Sequence, residues 1–481
     1  MMKADGIKRN FIFQISYQTL ILVIPLIISP YLTRVLGSNN LGIYTYVNSI
    51  AYYFLIFANL GISKHAQRVI ANSRDNNEEL RKNFWGLYSL HSIFSILSLF
   101  IYAFLSLFVV EENQTVFLLH IFYVVSALFD ITWLFQGLEN FKSVVIRNAF
   151  VKVLECVLIF VFVKTINDLW IYTIIMSASI LLGHLIMLPS ALKIVPPIRI
   201  QIKNMTMHLK PMLVLFVAVV ASTLYTVLDK TLLGLMATKS EVAYYEYANK
   251  IITIPKQLII VIGVVMFPRA CRVYNERKFD QLEEYIDLSM LATCFLSFAF
   301  TFGIMAIGRK FAVLYYGEEF EKTGEVLFWM APLIFVVMIG DIIRSEYLIP
   351  AKKDFLYTLC MVISAVLNIL LSIVFIPIMG IYGAIIGTTI AEVFGLVFQI
   401  ISCRGIYPPK RLLFKAIPFM FAGVIMFMIL CFIDTSTPTS FPYLLMEIGI
   451  GVIIYIVLSL LVFLTFFDKQ RRSIIRIFHK K

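Results

Sequence analysis

A chain of 481 residues that is 60% hydrophobic and only 15% charged has too few polar side chains to cover a water-soluble surface, where roughly 25% charged residues are usual. Its net charge of +12 is spread over many short segments, which argues against a nucleic-acid partner and for attraction to anionic membrane lipids. The six cysteines show no CxxC spacing and the six histidines no ligand spacing, so neither a metal cluster nor a cofactor is expected.

The apolar residues fall in blocks long enough to cross about 30 Å of hydrocarbon, which takes roughly 20 helical residues. Backbone groups in lipid must be paired within their own segment, so these blocks are helices. In chain order the expected spans are 11–33, 42–62, 85–110, 115–136, 148–164, 169–192, 211–235, 242–268, 286–308, 325–349, 357–377, 381–403, 414–433 and 442–467. The fold class is therefore an all-α integral membrane protein of about 14 transmembrane helices. The first block runs past Pro30 without a small-residue cleavage site, and reads as a retained helix rather than a signal peptide. The eighth contains Pro255 and is expected to break there. With a cytoplasmic N-terminus, most of the 41 lysines and arginines fall on the cytoplasmic side, which also places the C-terminus there.

No connection is long enough to be a folded domain. That opposes a membrane enzyme of glycan assembly, which needs outer loops to hold donor, acceptor and catalytic carboxylates. There is no phosphate-binding P-loop either, so no fused ATPase motor.

An internal repeat organises the chain. Tyr44-Thr-Tyr46-Val-Asn48-Ser-Ile50 returns as Tyr245-Glu-Tyr247-Ala-Asn249-Lys-Ile251 at an offset of 201, with Leu36-Gly37 and Leu233-Gly234 upstream. Each copy would hold six helices, and an even number makes the copies parallel about an axis along the membrane normal. The expected organisation is a first lobe over 1–210, a second over 211–405, and two extra helices with a basic tail over 406–481.

Charge inside hydrocarbon costs at least about 2.5–3.5 kcal/mol, so each case calls for a partner or a wet cavity. The eighth span is richest. Tyr245, Asn249 and Lys256 fall within about 40° on a helical wheel, and Glu246 and Lys250 extend the stripe. A Glu246–Lys250 ion pair is the bland reading of Lys250, whereas Lys256 has no acidic residue three or four positions away. On the seventh span Ser222, Thr226 and Asp229 share a face with Lys230 beside it, and interfacial anchoring competes with a substrate role. Asp341 and Arg344 on the tenth are spaced for a salt bridge, with Glu346 close by. Gln14 and Gln18 share a stripe on the first helix, and Thr388, Glu392 and Gln399 do so on the twelfth. Arg34 is the first charge after Arg9, and Asp130, Lys152 and Glu155 complete the polar set. Gly383 and Gly387 read as a close helix-packing pair.

Pro30-Tyr-Leu-Thr-Arg34-Val-Leu-Gly37 running into Leu41-Gly-Ile-Tyr44-Thr-Tyr, with Asp229-Lys230 ahead of Tyr245-x-Tyr247-Ala-Asn249-Lys250-Ile, Pro255 and Pro268, resembles the Wzx-type polysaccharide flippases. These belong to the multidrug/oligosaccharidyl-lipid/polysaccharide exporter superfamily. The resemblance implies alternating-access transport of undecaprenyl-diphosphate-linked oligosaccharide from the inner to the outer leaflet, for capsule, exopolysaccharide or O-antigen assembly. It also implies a bacterial cell membrane and a polysaccharide polymerase and export machinery as partners. Lysines in a cleft would offset the cost of moving a diphosphate through hydrocarbon. The candidate substrate-binding residues are thus Lys256, Lys250, Asn249, Lys230, Asp229, Arg344, Gln14, Gln18 and Arg34. A cation-coupled drug or metabolite exporter of the same superfamily is the alternative. The related peptidoglycan-precursor flippases use arginine within the first helix, and this chain has none between Arg9 and Arg34.

Overall fold

The computed structural model describes residues 4–199, 202–405, 407–434 and 437–467, with side chains described from Val23 onward except those of 203, 218, 221, 222 and 224–226. Among the described residues the regular structure is all helix, without a strand. The α-helices are α1 (Ala4–Asn59), α2 (Ile62–Ser73), α3 (Asn77–Phe104), α4 (Gln114–Leu119), α5 (Ile121–Leu128), α6 (Thr132–Gly137), α7 (Phe141–Phe162), α8 (Leu169–Ile194) and α9 (Ile202–Met236). They continue as α10 (Lys239–Asn275), α11 (Phe279–Tyr316), α12 (Glu321–Met330), α13 (Leu333–Ile343), α14 (Asp354–Met379), α15 (Ile381–Cys403), α16 (Pro409–Asp434) and α17 (Phe441–Phe466).

The expected spans all fall on helix, but not one span to one helix. The first two lie in α1, one helical run interrupted at Gly37. There φ is 75° and ψ 173°, a backbone that glycine adopts without steric cost. The fourth expected span is divided into α4, α5 and α6, and the tenth bends by 42° between Met330 and Leu333 and ends in a π-helical turn at Arg344–Leu348. The eighth departs from expectation the other way. α10 runs unbroken from Lys239 to Asn275 through Pro255 and Pro268. A proline frees one backbone carbonyl, and neighbouring helices or local adjustment can satisfy it in a membrane helix. By length and apolar composition, 10 helices among the described residues are able to cross a membrane, or 11 if the bent pair counts as one. α7 carries Arg147, Lys152 and Glu155 in its apolar stretch.

Large apolar side chains on α3, α14 and α16 point outward, with Phe100 at 72%, Ile378 at 75% and Phe432 at 77% exposure. Such faces suit lipid, not water. The chain is a multi-pass membrane protein.

Two compact units are present, Met1–Ala243 and Tyr244–Lys481. In the first, α2, α3 and α6 enclose a core with Ile70, Phe84, Leu87 and Trp133 at its centre. A second cluster joins α1, α3, α4 and α5 through Val47, Ala51, Tyr102 and Phe117. α3 starts where Asn76 accepts the backbone N–H groups of Glu78 (3.1 Å) and Glu79 (3.3 Å), a side-chain cap for otherwise unpaired donors. α9, expected to open the second lobe, packs on α1, α2 and α3 in the first unit.

In the second unit α11 is the central post, packed by α12, α13, α16 and α17. α14 and α15 pair closely because a Cβ on Gly383 would strike the Phe375 backbone and one on Gly387 the Ser372 hydroxyl. Beyond α10, Glu276 sits between Arg272 (2.9 Å) and Lys278 (2.7 Å). Hydrogen bonds from both hold its carboxyl down at about 2.

Candidate functional site

The first copy of the repeat is built on the second half of α1. Tyr44 packs on His120 and Tyr172, with ring centroids 5.2 and 4.6 Å away. Tyr46 meets the edge of Phe117 at 6.3 Å. Lys239 lies over the Tyr46 ring, 3.9 Å from its centroid, and also donates to the Gly234 carbonyl. That places a cation at the C-terminal end of α9, where the helix dipole favours it. A Cβ on Gly234 would run into the Tyr46 ring, and one on Gly42 into the Lys239 backbone carbonyl. One turn further along α1, Ser49 and Tyr53 both share Thr231 as hydrogen-bond partner at 3.0 Å. Ser38 donates to Ser240 at 3.0 Å. The candidates Asp229 and Lys230 thus sit on a helix locked against α1, Asp229 buried and Lys230 half-buried.

The second copy lies on α10. Tyr247 is buried against Tyr316 (5.2 Å) and Phe320 (5.3 Å), and the Tyr316 hydroxyl donates to the Tyr247 carbonyl at 3.1 Å. Lys250 reaches back over the Tyr247 ring, 4.1 Å from its centroid. Tyr245 is buried, while Asn249, Lys250 and Lys256 are half-buried along the same helix. Lys256 makes no ion pair among the described residues.

Arg344 pairs with Asp341 and lies 5.7 Å from the Tyr357 ring centroid. Glu346, two residues on, is wholly buried beside Ser289 and makes no ion pair among the described residues. The π-helical turn at Arg344–Leu348 holds this charged group together. Arg34 is exposed and donates to the Pro30 carbonyl of its own helix at 2.8 Å. The side chains of Gln14, Gln18, Ser222 and Thr226 lie outside the described residues. The structure therefore groups the seven described candidates by unit: Asp229, Lys230 and Arg34 in the first, Asn249, Lys250, Lys256 and Arg344 in the second.

Residues 7–274 match the family described as polysaccharide biosynthesis protein, which is more than half of the chain. This chain belongs to that family. A Shigella dysenteriae protein named as an O-antigen transporter is 25% identical over 401 residues, 82% of this chain and 99% of its own length. Among solved structures, the lipid II flippase MurJ in an inward closed conformation is 18% identical, with a TM-score of 0.74 over 94% of this chain and 98% of that one. An inward-facing multidrug resistance MATE transporter is 14% identical, with a TM-score of 0.59 over 80% and 97%. The fold of this polysaccharide biosynthesis family member is thus shared with both.

Sequence reasoning missed the ion pairs of the family member's last two helices. Lys310 on α11 is buried against Glu447 and Asp434, each at 2.5 Å, with Thr437 at 2.9 Å. Near the other end of α11, Lys415 pairs with Asp287, and Arg411 with Glu283. The partners are over a hundred residues apart, so no local pattern reveals them. The available signal was a charge inside or just at the end of an apolar block at Lys415 and Glu447.

Proposed function

We propose that this chain is a flippase for undecaprenyl-diphosphate-linked oligosaccharide repeat units. It moves them from the inner to the outer leaflet of a bacterial cell membrane by alternating access, for capsule, exopolysaccharide or O-antigen biosynthesis. Transport of lipid-linked glycan in general rests on the family and on relatives named for O-antigen transport. The finer substrate rests on one observation: Lys256, a half-buried cation in the middle of an apolar helix without an acidic partner among the described residues. A diphosphate supplies the missing counter-charge. Lys250 and Asn249 line the same helix, the amide suited to sugar hydroxyls. Lys230, Asp229, Arg344, Arg34, Gln14 and Gln18 complete the proposed path.

The reading carries an architecture with it. Fourteen spans with both termini cytoplasmic form two six-helix lobes, 1–210 and 211–405, followed by the pair over 406–481. Support comes from the aromatic pairs inside each unit. Tyr46 meets Phe117 at the start of the fourth expected span, and Tyr247 meets Phe320 five residues ahead of the tenth. Partners are membrane lipids, the lipid-linked oligosaccharide, and a polymerase and export machinery that consume it.

The test is deletion of the gene followed by leaflet-resolved measurement of lipid-linked repeat units. Accumulation on the inner leaflet, relieved by the plasmid-borne chain, is expected. Accumulation on the outer leaflet instead would place the chain after flipping and overturn the proposal.

A further inference from the structure

The second unit holds a cation, at one end of its α14–α15 pair, that no carboxylate answers. Lys353, between the π-helical turn and α14, is half-buried and makes no ion pair among the described residues. Its Nζ donates to the Tyr347 hydroxyl at 2.6 Å and reaches the Ser402 carbonyl at 3.5 Å. It also lies 4.7 Å from the Tyr347 ring centroid. Lys352 precedes it and Arg404 follows Ser402 by two residues, both exposed and without an ion pair among the described residues. We propose that Lys352, Lys353 and Arg404 hold the phosphate headgroup of an anionic membrane phospholipid, whose acyl chains lie on the apolar outer faces of α14 and α15.

The backbone brings the three cations together. Cys360 donates to the Gly395 carbonyl, Asn368 donates to Thr388 at 3.0 Å, and a Cβ on Gly387 would meet the Ser372 hydroxyl. That register is antiparallel, and it carries the start of α14 to the end of α15, where Lys353 and Arg404 stand. Tyr347 is buried, so its ring and hydroxyl hold the Lys353 ammonium in place. A headgroup then binds a cation whose ordering cost has already been met.

Charge and shape point to the same ligand. At three other helix ends basic residues are matched by acids: Lys82 with Glu78 at 2.6 Å, Arg74 with Glu139 at 3.1 Å, and Arg272 with Glu276 at 2.9 Å. The acid beside Lys353 is Asp354, exposed in the first turn of α14, where the helix dipole already suits it. Phosphate oxygens accept charge-assisted hydrogen bonds from both lysine and arginine. A soluble anion would use the charge alone. Next to these cations stand Phe355, 76% exposed, and Val362 on α14, with Ile401 and Val397 exposed on α15. Basic residues at the end of such an apolar wall suit a headgroup with chains attached.

The site lies between the tenth and eleventh expected spans, a cytoplasmic connection in the proposed architecture, so its lipid comes from the inner leaflet. Only that leaflet rests on the flippase reading. The experiment is native mass spectrometry of the full chain with equimolar dioleoylphosphatidylglycerol and dioleoylphosphatidylcholine. Wild type is expected to retain phosphatidylglycerol at least fivefold over phosphatidylcholine. K353M and R404Q should each lose at least half of that preference, K353M/R404Q should lose it, and K353R should keep it. Arg404 is exposed at a helix end, so R404Q still decides the matter should K353M fail to fold. K64Q/R68Q, which removes two exposed cations of α2, should match wild type. Equal retention of the two lipids by wild type, or an unchanged preference in R404Q and K353M/R404Q, overturns the proposal. Loss of the preference in K64Q/R68Q overturns it too, since the attraction would then be diffuse. Displacement of phosphatidylglycerol by equimolar undecaprenyl phosphate would assign the site to a prenyl carrier, and displacement by excess inorganic phosphate to a free anion; either result overturns it. If gene deletion leaves lipid-linked repeat units unaccumulated, the flippase reading falls and lipid retention still decides this site.

Discussion

The two copies of the repeat carry the same wording and are wired differently. In each, a tyrosine meets the edge of a phenylalanine and is covered by a lysine. Over Tyr46 the lysine arrives from far along the chain as Lys239, and is tied to the Gly234 carbonyl. Over Tyr247 it is Lys250, three residues on in the same helix. The first cation is therefore part of a joint between helices, closed by Gly42 and Gly234. The second comes from within its own helix. Local sequence repeats the aromatic seat, while tertiary context decides whether the charge over it is structural.

Breaking the joint should have the largest effect. Gly42→Leu puts a side chain into the Lys239 backbone, which cannot swing away. Overpacking commonly costs about 1–3 kcal/mol and more against backbone. The expected outcome is loss of most folded protein, read as monodisperse yield after detergent extraction. Normal yield would mean that α1 and the start of α10 do not approach as described.

Next comes function without misfolding. Lys256→Ala is expected to cut surface polysaccharide at least tenfold at matched protein level, because the diphosphate loses its counter-charge while the helix becomes easier to insert. Lys256→Arg should retain part of the activity, since charge is kept and geometry changes. Full export by both Lys256→Ala and Lys256→Glu would remove the lysine from the path.

The comparison of lysines is finer. Lys239→Met should lower thermal stability, as a cation–π contact contributes about 0.5–2 kcal/mol, with export per folded molecule unchanged. Lys250→Met loses the same kind of contact over Tyr247 and should lower melting temperature comparably, but with export per folded molecule reduced two- to fivefold as well. An identical phenotype for the two would erase the distinction. The smallest effect is expected for Tyr46→Leu against Tyr247→Leu. Each loses aromatic geometry worth about 0.5–1.5 kcal/mol, and Tyr247→Leu should lose more because that ring packs on both Tyr316 and Phe320. Melting temperature in nanodiscs measures it.

Helix class and the multi-pass membrane character were legible in the sequence, because apolar blocks of bilayer length have one viable backbone. The gap between the first two spans was legible, but not that Gly37 alone interrupts a single helical run there. Pro255 misled: as a rule of soluble helices it predicts a break, and α10 runs through it. The breaks inside the fourth and tenth spans had local signals, Asp130 beside Ile131 and Pro332 after Ala331, but the apolar blocks around them outweighed these. Of the candidate site, the stripe on α10 followed from helical spacing. The Thr231 contacts to Ser49 and Tyr53 did not, since they join residues nearly two hundred positions apart.

The clamp on α11 has a mechanical meaning. Asp287 and Lys310 are 23 residues apart on one helix, about 35 Å along its axis, close to the thickness of the hydrocarbon layer. α16 is riveted to this post near both ends and α17 near one, and between the rivets the Tyr455 hydroxyl of α17 donates to the Phe295 carbonyl of α11 at 2.8 Å. Such a beam resists sliding and twisting far better than one pinned at its middle. α11, α16 and α17 should move as one stiff body, and truncation after Cys403 would strand Lys310 as a buried charge. Removing one partner of a buried pair costs about 3–5 kcal/mol, so this appendix outside the repeat cannot be shed without loosening the post it braces.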